Sequence, residues 1–225
     1  VIKEKYNLKK EGEFAVEFDL EEECIRIYST LLPNTNVKAY FLGNKRYLSS
    51  SNANGKDKRI EQFAFFDLAV AHFIHWVSEH HHWSPSLVHC NDWHTALIPL
   101  ILKNKARVSI PTLLTIHNLL YQGVGSLRVL DLLKMRDEEA KEIKRGVPVN
   151  EMNVLGEGIV HATRVSTVSV SYAKEIANDY GNSLIGTFLK KIEDACLGKD
   201  IIIICILYGI DYDIWDPGKD EIIFH

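Results

Sequence analysis

The sequence predicts a doubly wound α/β fold, and three features carry that expectation. Short apolar runs rich in β-branched residues recur at Ser86–His89, Thr112–Ile116, Arg164–Val168 and Ile201–Leu207. The stretches between them carry apolar residues at helical spacing. The runs are near-continuous rather than alternating, as strands of a parallel sheet covered on both faces must be. Ligands of such sheets bind at the carboxyl ends of the strands, so the residues following each run are the ones to inspect.

Taken in order, Ile25–Thr30 and Val37–Gly43 read as strands, the second closing on a Gly-Asn turn. Ser49–Lys58 (SSSNANGKDK) is a polar connecting loop. Arg59–His80 reads as a helix, with Ile60, Phe63, Ala64, Ala71, Ile74 and Val77 on one face. The strand Ser86–His89 precedes a helix over Trp93–Lys103, and Thr112–Ile116 is the next strand. A polar loop and helical stretches run to about Arg145, followed by a helix over Met152–His161. The strand Arg164–Val168, a helix over Ser171–Asp179, a further helix over Ser183–Leu197 and the strand Ile201–Leu207 complete the pattern. No internal repeat or low-complexity tract interrupts it, and residues 1–225 read as a single domain.

Composition excludes more than it assigns. Lys and Arg number 26 against 30 Asp and Glu, a net charge of −4, which provides no broad basic surface for nucleic acid. The apolar run Ile201–Leu207 is far shorter than the ~20 residues that span a bilayer, so no membrane partner is expected. Cys24, Cys90, Cys196 and Cys205 form no CxxC pair and read as reduced thiols of a reducing compartment. The expectation is therefore cytoplasmic, or plastidial if a transit segment once preceded Val1.

Two strand ends stand out. In VHCNDWHTALIPL (Val88–Leu100), Asp92, Trp93 and His94 directly follow a strand. Asp92 reads either as the N-cap of the next helix or as a functional carboxylate. In TLLTIHNLLYQG (Thr112–Gly123), the strand ends at His117 and Asn118, then Tyr121 and Gln122. Imidazole, amide and phenol supply the mixed donors and acceptors that sugar hydroxyls require, and the ring offers a face to a pyranose. Both loops leave strands of one sheet and should open on the same edge. Elsewhere, His72, His75 and His80–His82 lie along one helix and its end, where they suit the helix dipole better than a metal. Gly156, Gly158 and Gly181 form no dinucleotide or P-loop signature, and no GxSxG elbow is present.

These segments, in this order, resemble the glycogen and bacterial-type starch synthase family. HCNDWHTALIP is similar to the family's H-x-HDWHTAL-P, and TIHNLLYQG (Thr115–Gly123) matches TIHN-x-x-YQG. Asn153–Ile159 with RVSTVSVSYAKEI (Arg164–Ile176) resembles N-x-L-K-x-GI followed by V-TTVS-x-x-YA-x-EI. YGIDYDIWDPGKD (Tyr208–Asp220) resembles NGID-x-x-x-W-x-P-x-x-D, and QFAFFDLA (Gln62–Ala69) resembles RFAFFS-x-A.

The resemblance implies the N-terminal, Rossmann-like half of a two-lobed GT-B glycosyltransferase. The implied reaction moves glucose from ADP-glucose or UDP-glucose to the non-reducing end of an α-1,4-glucan, with retention and without a resident cofactor or metal. Carried over residue by residue, Asp92 and His117 are the catalytic positions. His94, Asn118, Tyr121, Gln122, Tyr208 and Gly209 are the substrate-binding ones. The family's K-x-GGL loop is absent, as is the nucleotide-binding C-terminal lobe, so the chain is expected to be inactive alone. Tyr208 stands where the family has Asn, and Gly156-Glu157 replaces Lys-Ala, which removes a positive charge expected near the cleft. These departures leave a second reading open, a non-catalytic glucan-binding module descended from a synthase lobe.

Overall fold

A computed structural model describes residues 6–49, 56–106, 109–135, 150–178 and 203–207, with 209, 215, 216 and 218. The chain opens on an antiparallel sheet of β1 (Lys9–Phe18), β2 (Glu21–Leu31) and β3 (Lys38–Gly43), in that order. β1 lies before the strands expected from the sequence, although Phe14, Val16 and Phe18 alternate with exposed Glu13, Ala15 and Glu17 along it. Asp19 and Leu20 join β1 to β2 with φ of 51° and 64°, the paired left-handed conformation of a two-residue hairpin turn. Val16, Phe18, Ile25 and Ile27 bury one face of this sheet against the long helix α1 (Lys56–His81). Phe18 and Tyr47 both pack on Phe65 of α1, with ring centroids 5.2 and 4.6 Å away. Late in α1, His80 stacks on Trp76 at 4.4 Å and bonds its carbonyl through Nδ1 at 2.9 Å, a structural use of the histidine run.

The second layer is the expected parallel sheet. Its strands are β4 (Val88–Asn91), β5 (Thr112–Ile116), β8 (Arg164–Thr167) and β9 (Ile203–Cys205), paired in the order β4-β5-β8-β9. Between β5 and β8 lie the antiparallel pair β6 (Val124–Ser126) and β7 (Glu151–Asn153). The short helix α3 (Arg128–Leu132) follows β6. The sheet interior contains a row of polar contacts: His89 Nε2 meets Thr115 Oγ1 at 2.7 Å, and that hydroxyl meets Ser166 Oγ at 2.8 Å. Thr115 and Ser166 are fully buried, each satisfied across strands.

The expected helix over Trp93–Lys103 is broken in three. A 3₁₀ turn (Trp93–Thr95) precedes α2 (Ile98–Ile101), and a π turn (Leu102–Ala106) follows it. Pro99 sits in the first turn of α2 and has no N–H to give, which suits a helix start and not a helix interior. The expected helix over Met152–His161 begins two residues later, as α4 (Val154–His161). Asn153 is its N-cap, its side chain accepting from Gly156 N–H at 2.9 Å, so the residues before it are free to pair as β7. After β8 comes α5 (Val170–Asn178). The expected helix over Ser183–Leu197 lies outside the described residues.

Candidate active site

Parallel pairing puts the ends of β4 and β5 side by side, with Asn91 opposite Thr115. Asp92 extends that ladder by donating its N–H to Thr115 O at 2.9 Å, then turns sharply, at φ 56° and ψ −171°. That conformation is nearly exclusive to glycine and costs about 1–3 kcal/mol, so surrounding contacts must hold it. The contacts are with His117. Asp92 Oδ1 accepts the His117 backbone N–H at 2.8 Å, and Oδ2 meets the ring Nδ1 at 3.0 Å.

The N-cap reading of Asp92 is therefore corrected. It occupies the residue before the 3₁₀ turn but makes no capping bond, because both carboxylate oxygens are engaged by the neighbouring loop. Thr95 ties the turn back to the strand in its place. Its Oγ1 accepts from Asn91 N–H at 2.6 Å and donates to Asn91 O at 2.9 Å.

A carboxylate only accepts, so Nδ1 of His117 carries the proton shared with Asp92. Nε2 is then the acceptor of the neutral ring. When the ring is protonated, both nitrogens donate and Asp92 balances the charge. The pair is more than half buried without being sealed, with side-chain exposures of 37% and 27%.

His94 is half-buried between Trp93 and Phe63, at centroid distances of 4.3 and 4.7 Å. Burial lowers its pKa below the ordinary imidazole value and Asp92 partly opposes this, so the ring is neutral at neutral pH. Beneath this loop, Asp67 of α1 is fully buried and accepts Leu97 N–H at 2.9 Å. Burial drives its pKa well above the usual carboxylate range.

The second loop contributes less uniformly. Asn118 Oδ1 accepts Leu120 N–H at 3.0 Å, forming a tight local turn. Tyr121 is exposed, whereas Gln122 Oε1 accepts from the Asn153 amide at 2.7 Å and so joins the loop to the start of α4. Gly209 is exposed with open space around its Cα, and Tyr208 lies outside the described residues. The structure thus brings Asp92 and His117 together, with His94 beside them on the first loop. Glu157, which stands where the family has Ala, is buried against His161.

Several supporting residues carry roles that the sequence pattern did not assign. Trp93 packs on Gly123, whose φ is 63° and where a Cβ would overlap the indole ring. Tyr172 of α5 accepts Leu119 N–H through its hydroxyl at 2.9 Å. The Gly in YQG was the readable signal for the first of these, since a positive φ or close approach is what a loop glycine usually serves. Nothing local marks Tyr172, whose partner is 53 residues away.

Residues 1–190 match the family model of the starch synthase catalytic domain. The glycogen synthase of Thermotoga petrophila is 34% identical over 230 residues, covering 97% of this chain and 44% of that protein. The glycogen synthase of Lactococcus lactis is 35% identical over 232 residues, covering 99% and 45%. The catalytic domain of starch synthase IV from Arabidopsis thaliana, solved bound to ADP and acarbose, superposes with a TM-score of 0.78 at 21% identity. That match covers 96% of this chain and 43% of the other, and shows the shared fold. The chain spans less than half the length of these relatives. The match along residues 1–190, together with relatives above 30% identity, shows that this chain belongs to the starch synthase catalytic domain family.

Proposed function

We propose that this chain forms one wall of the active cleft of a retaining glucosyltransferase, working with a second, nucleotide-binding lobe. The reaction would move glucose from ADP-glucose or UDP-glucose to the non-reducing end of an α-1,4-glucan such as glycogen or starch. The bond from the anomeric carbon to the diphosphate oxygen breaks, and one to the acceptor 4-hydroxyl oxygen forms on the same face. The hydroxyl proton leaves with the diphosphate. The sugar nucleotide is a co-substrate, and no resident cofactor is invoked.

The observation that carries this reading is the Asp92–His117 pair at the carboxyl edge of adjacent parallel strands. Fixing the backbone and ring of His117 with one carboxylate pre-positions the imidazole against the donor glucose. Such positioning is how a transferase without a protein nucleophile gains rate. His94, Asn118, Tyr121, Gln122, Tyr208 and Gly209 are assigned to substrate contact in this reading. The unpaired Cys24, Cys90 and Cys205 fit a reducing compartment, and we assign the activity to the cytoplasm.

The test is glycogen-dependent release of nucleoside diphosphate from ADP-glucose and UDP-glucose. It is measured on this chain and on the longest polypeptide its gene encodes. Turnover is expected from the longer polypeptide, falling about 100-fold or more in Asp92→Ala and in His117→Ala. A folded polypeptide that binds glycogen but turns over neither donor would favour the glucan-binding module instead.

A further inference from the structure

At the opposite edge of the parallel sheet, where the strands begin, a cavity of about 420 Å³ opens between the π turn and the end of α4. It lies roughly 16 Å from the His117 edge, the length of the five-residue strand β5. His161, the last residue of α4, lines it with a side chain only 4% exposed. Neither ring nitrogen makes a hydrogen bond among the described residues. Glu157, one turn earlier and equally buried, has Oε2 3.5 Å from His161 Nε2. Burying an imidazole without hydrogen bonds costs about 1–3 kcal/mol, an arrangement that a bound acceptor would relieve.

The rest of the lining narrows the ligand's chemistry. Lys103 reaches the cavity from the π turn, a distortion that is rare in helices and recurs at functional sites. The hydroxyls of Thr112 and Thr163 each accept the other residue's backbone N–H at 3.0 Å, which leaves their O–H groups able to donate. With the hydroxyl of Ser109, the imidazole and an ammonium that only donates, the lining is rich in donors. Leu102 and Ile110 add an apolar wall.

We propose that this cavity binds a small organic anion, a carboxylate or phosphate monoester, with its charged end on Lys103 and His161 and its hydrocarbon part against Leu102 and Ile110. The test is titration of the full chain with phenyl phosphate, benzoate and the neutral benzyl alcohol, followed through histidine side-chain NMR signals. The His161 signal is assigned by its loss in His161→Asn or, should that variant fail to fold, through its connection to the α4 backbone. At least one of the two anions is expected to move this signal saturably, and which one separates the phosphate class from the carboxylate class. Lys103→Met keeps the aliphatic stem and is expected to weaken that binding about tenfold. A His161 signal unmoved by both anions would overturn the proposal. So would an unchanged affinity in Lys103→Met, or benzyl alcohol binding as tightly as the anions.

Discussion

The loop leaving β4 is tied to itself and to the helix beneath it, whereas the loop leaving β5 draws on three separate segments of the chain. In the first, Thr95 bonds back to Asn91, and the buried Asp67 fixes Leu97 from below. In the second, Leu119 depends on Tyr172, Gln122 on Asn153, and His117 on Asp92. The first loop packs its aromatic residues inward, while Leu120 and Tyr121 of the second are 68% and 66% exposed. Strain persists only where contacts over-determine a conformation, and the strained residue of the first loop, Asp92, is held by its two bonds to His117 of the second. The first loop is thus the better-packed side of the site, and the second the more exposed.

The strongest way to break that contrast is Gly123→Ala, which attacks the packing of the second loop on Trp93 of the first. The new methyl would strike the Trp93 ring and sit 3.2 Å from Val154 Cβ, at a φ of 63° that disfavours any L side chain. A loss of about 2–3 kcal/mol in urea unfolding is expected, with near-ultraviolet dichroism reporting a changed Trp93 environment. A stable variant with an unchanged spectrum would show that the loops are not coupled there.

A sharper test compares Asp92→Gly with Asp92→Ala. Both remove the carboxylate, but only glycine accepts φ 56° with ψ −171° without strain. The glycine variant is expected to be more stable by about 1–3 kcal/mol, although glycine ordinarily costs more backbone entropy than alanine. Equal stabilities would mean that the turn relaxes once the His117 contacts are gone.

The mildest change is Asp67→Asn, nearly isosteric with the protonated acid. Burial raises the Asp67 pKa above its ordinary 3.8, so the folded state holds the proton more tightly than the unfolded chain. Stability from this residue is greatest at low pH and declines as pH rises above the ordinary carboxylate value. Thermal melts between pH 5 and 8 should show a shallower decline in Asp67→Asn than in the parent. Parallel profiles would remove Asp67 from the account of how the first loop is held.

The parallel strands were legible as short runs rich in apolar and β-branched residues. Thr112–Ile116 was delimited to the residue and Arg164–Thr167 to within one, while Val88–Asn91 lies two residues later than expected. The break at Pro99 and the cap at Asn153 were also written in the sequence. Helical spacing on either side hid them, since periodicity registers the apolar face and not the backbone donors. Asp92 and His117 were legible as residues, while their mutual bonding was not. It follows from the backbone turn at Asp92, which sequence pattern leaves open between capping and function. Asp67, Tyr172 and Asn153 act through partners 30, 53 and 31 positions away, where no local pattern reaches.

The polar row from His89 through Thr115 to Ser166 has a consequence for assembly fidelity. Strands that are apolar on both faces have little in their own pattern to oppose sliding past one another. A shift along β5 would separate Thr115 from both neighbours and leave buried hydroxyls unpaired, at about 1–3 kcal/mol for each group. The row works as a key that only one alignment of β4, β5 and β8 can turn. Because Asp92 and His117 leave the ends of two of those strands, the same key sets whether the two residues meet.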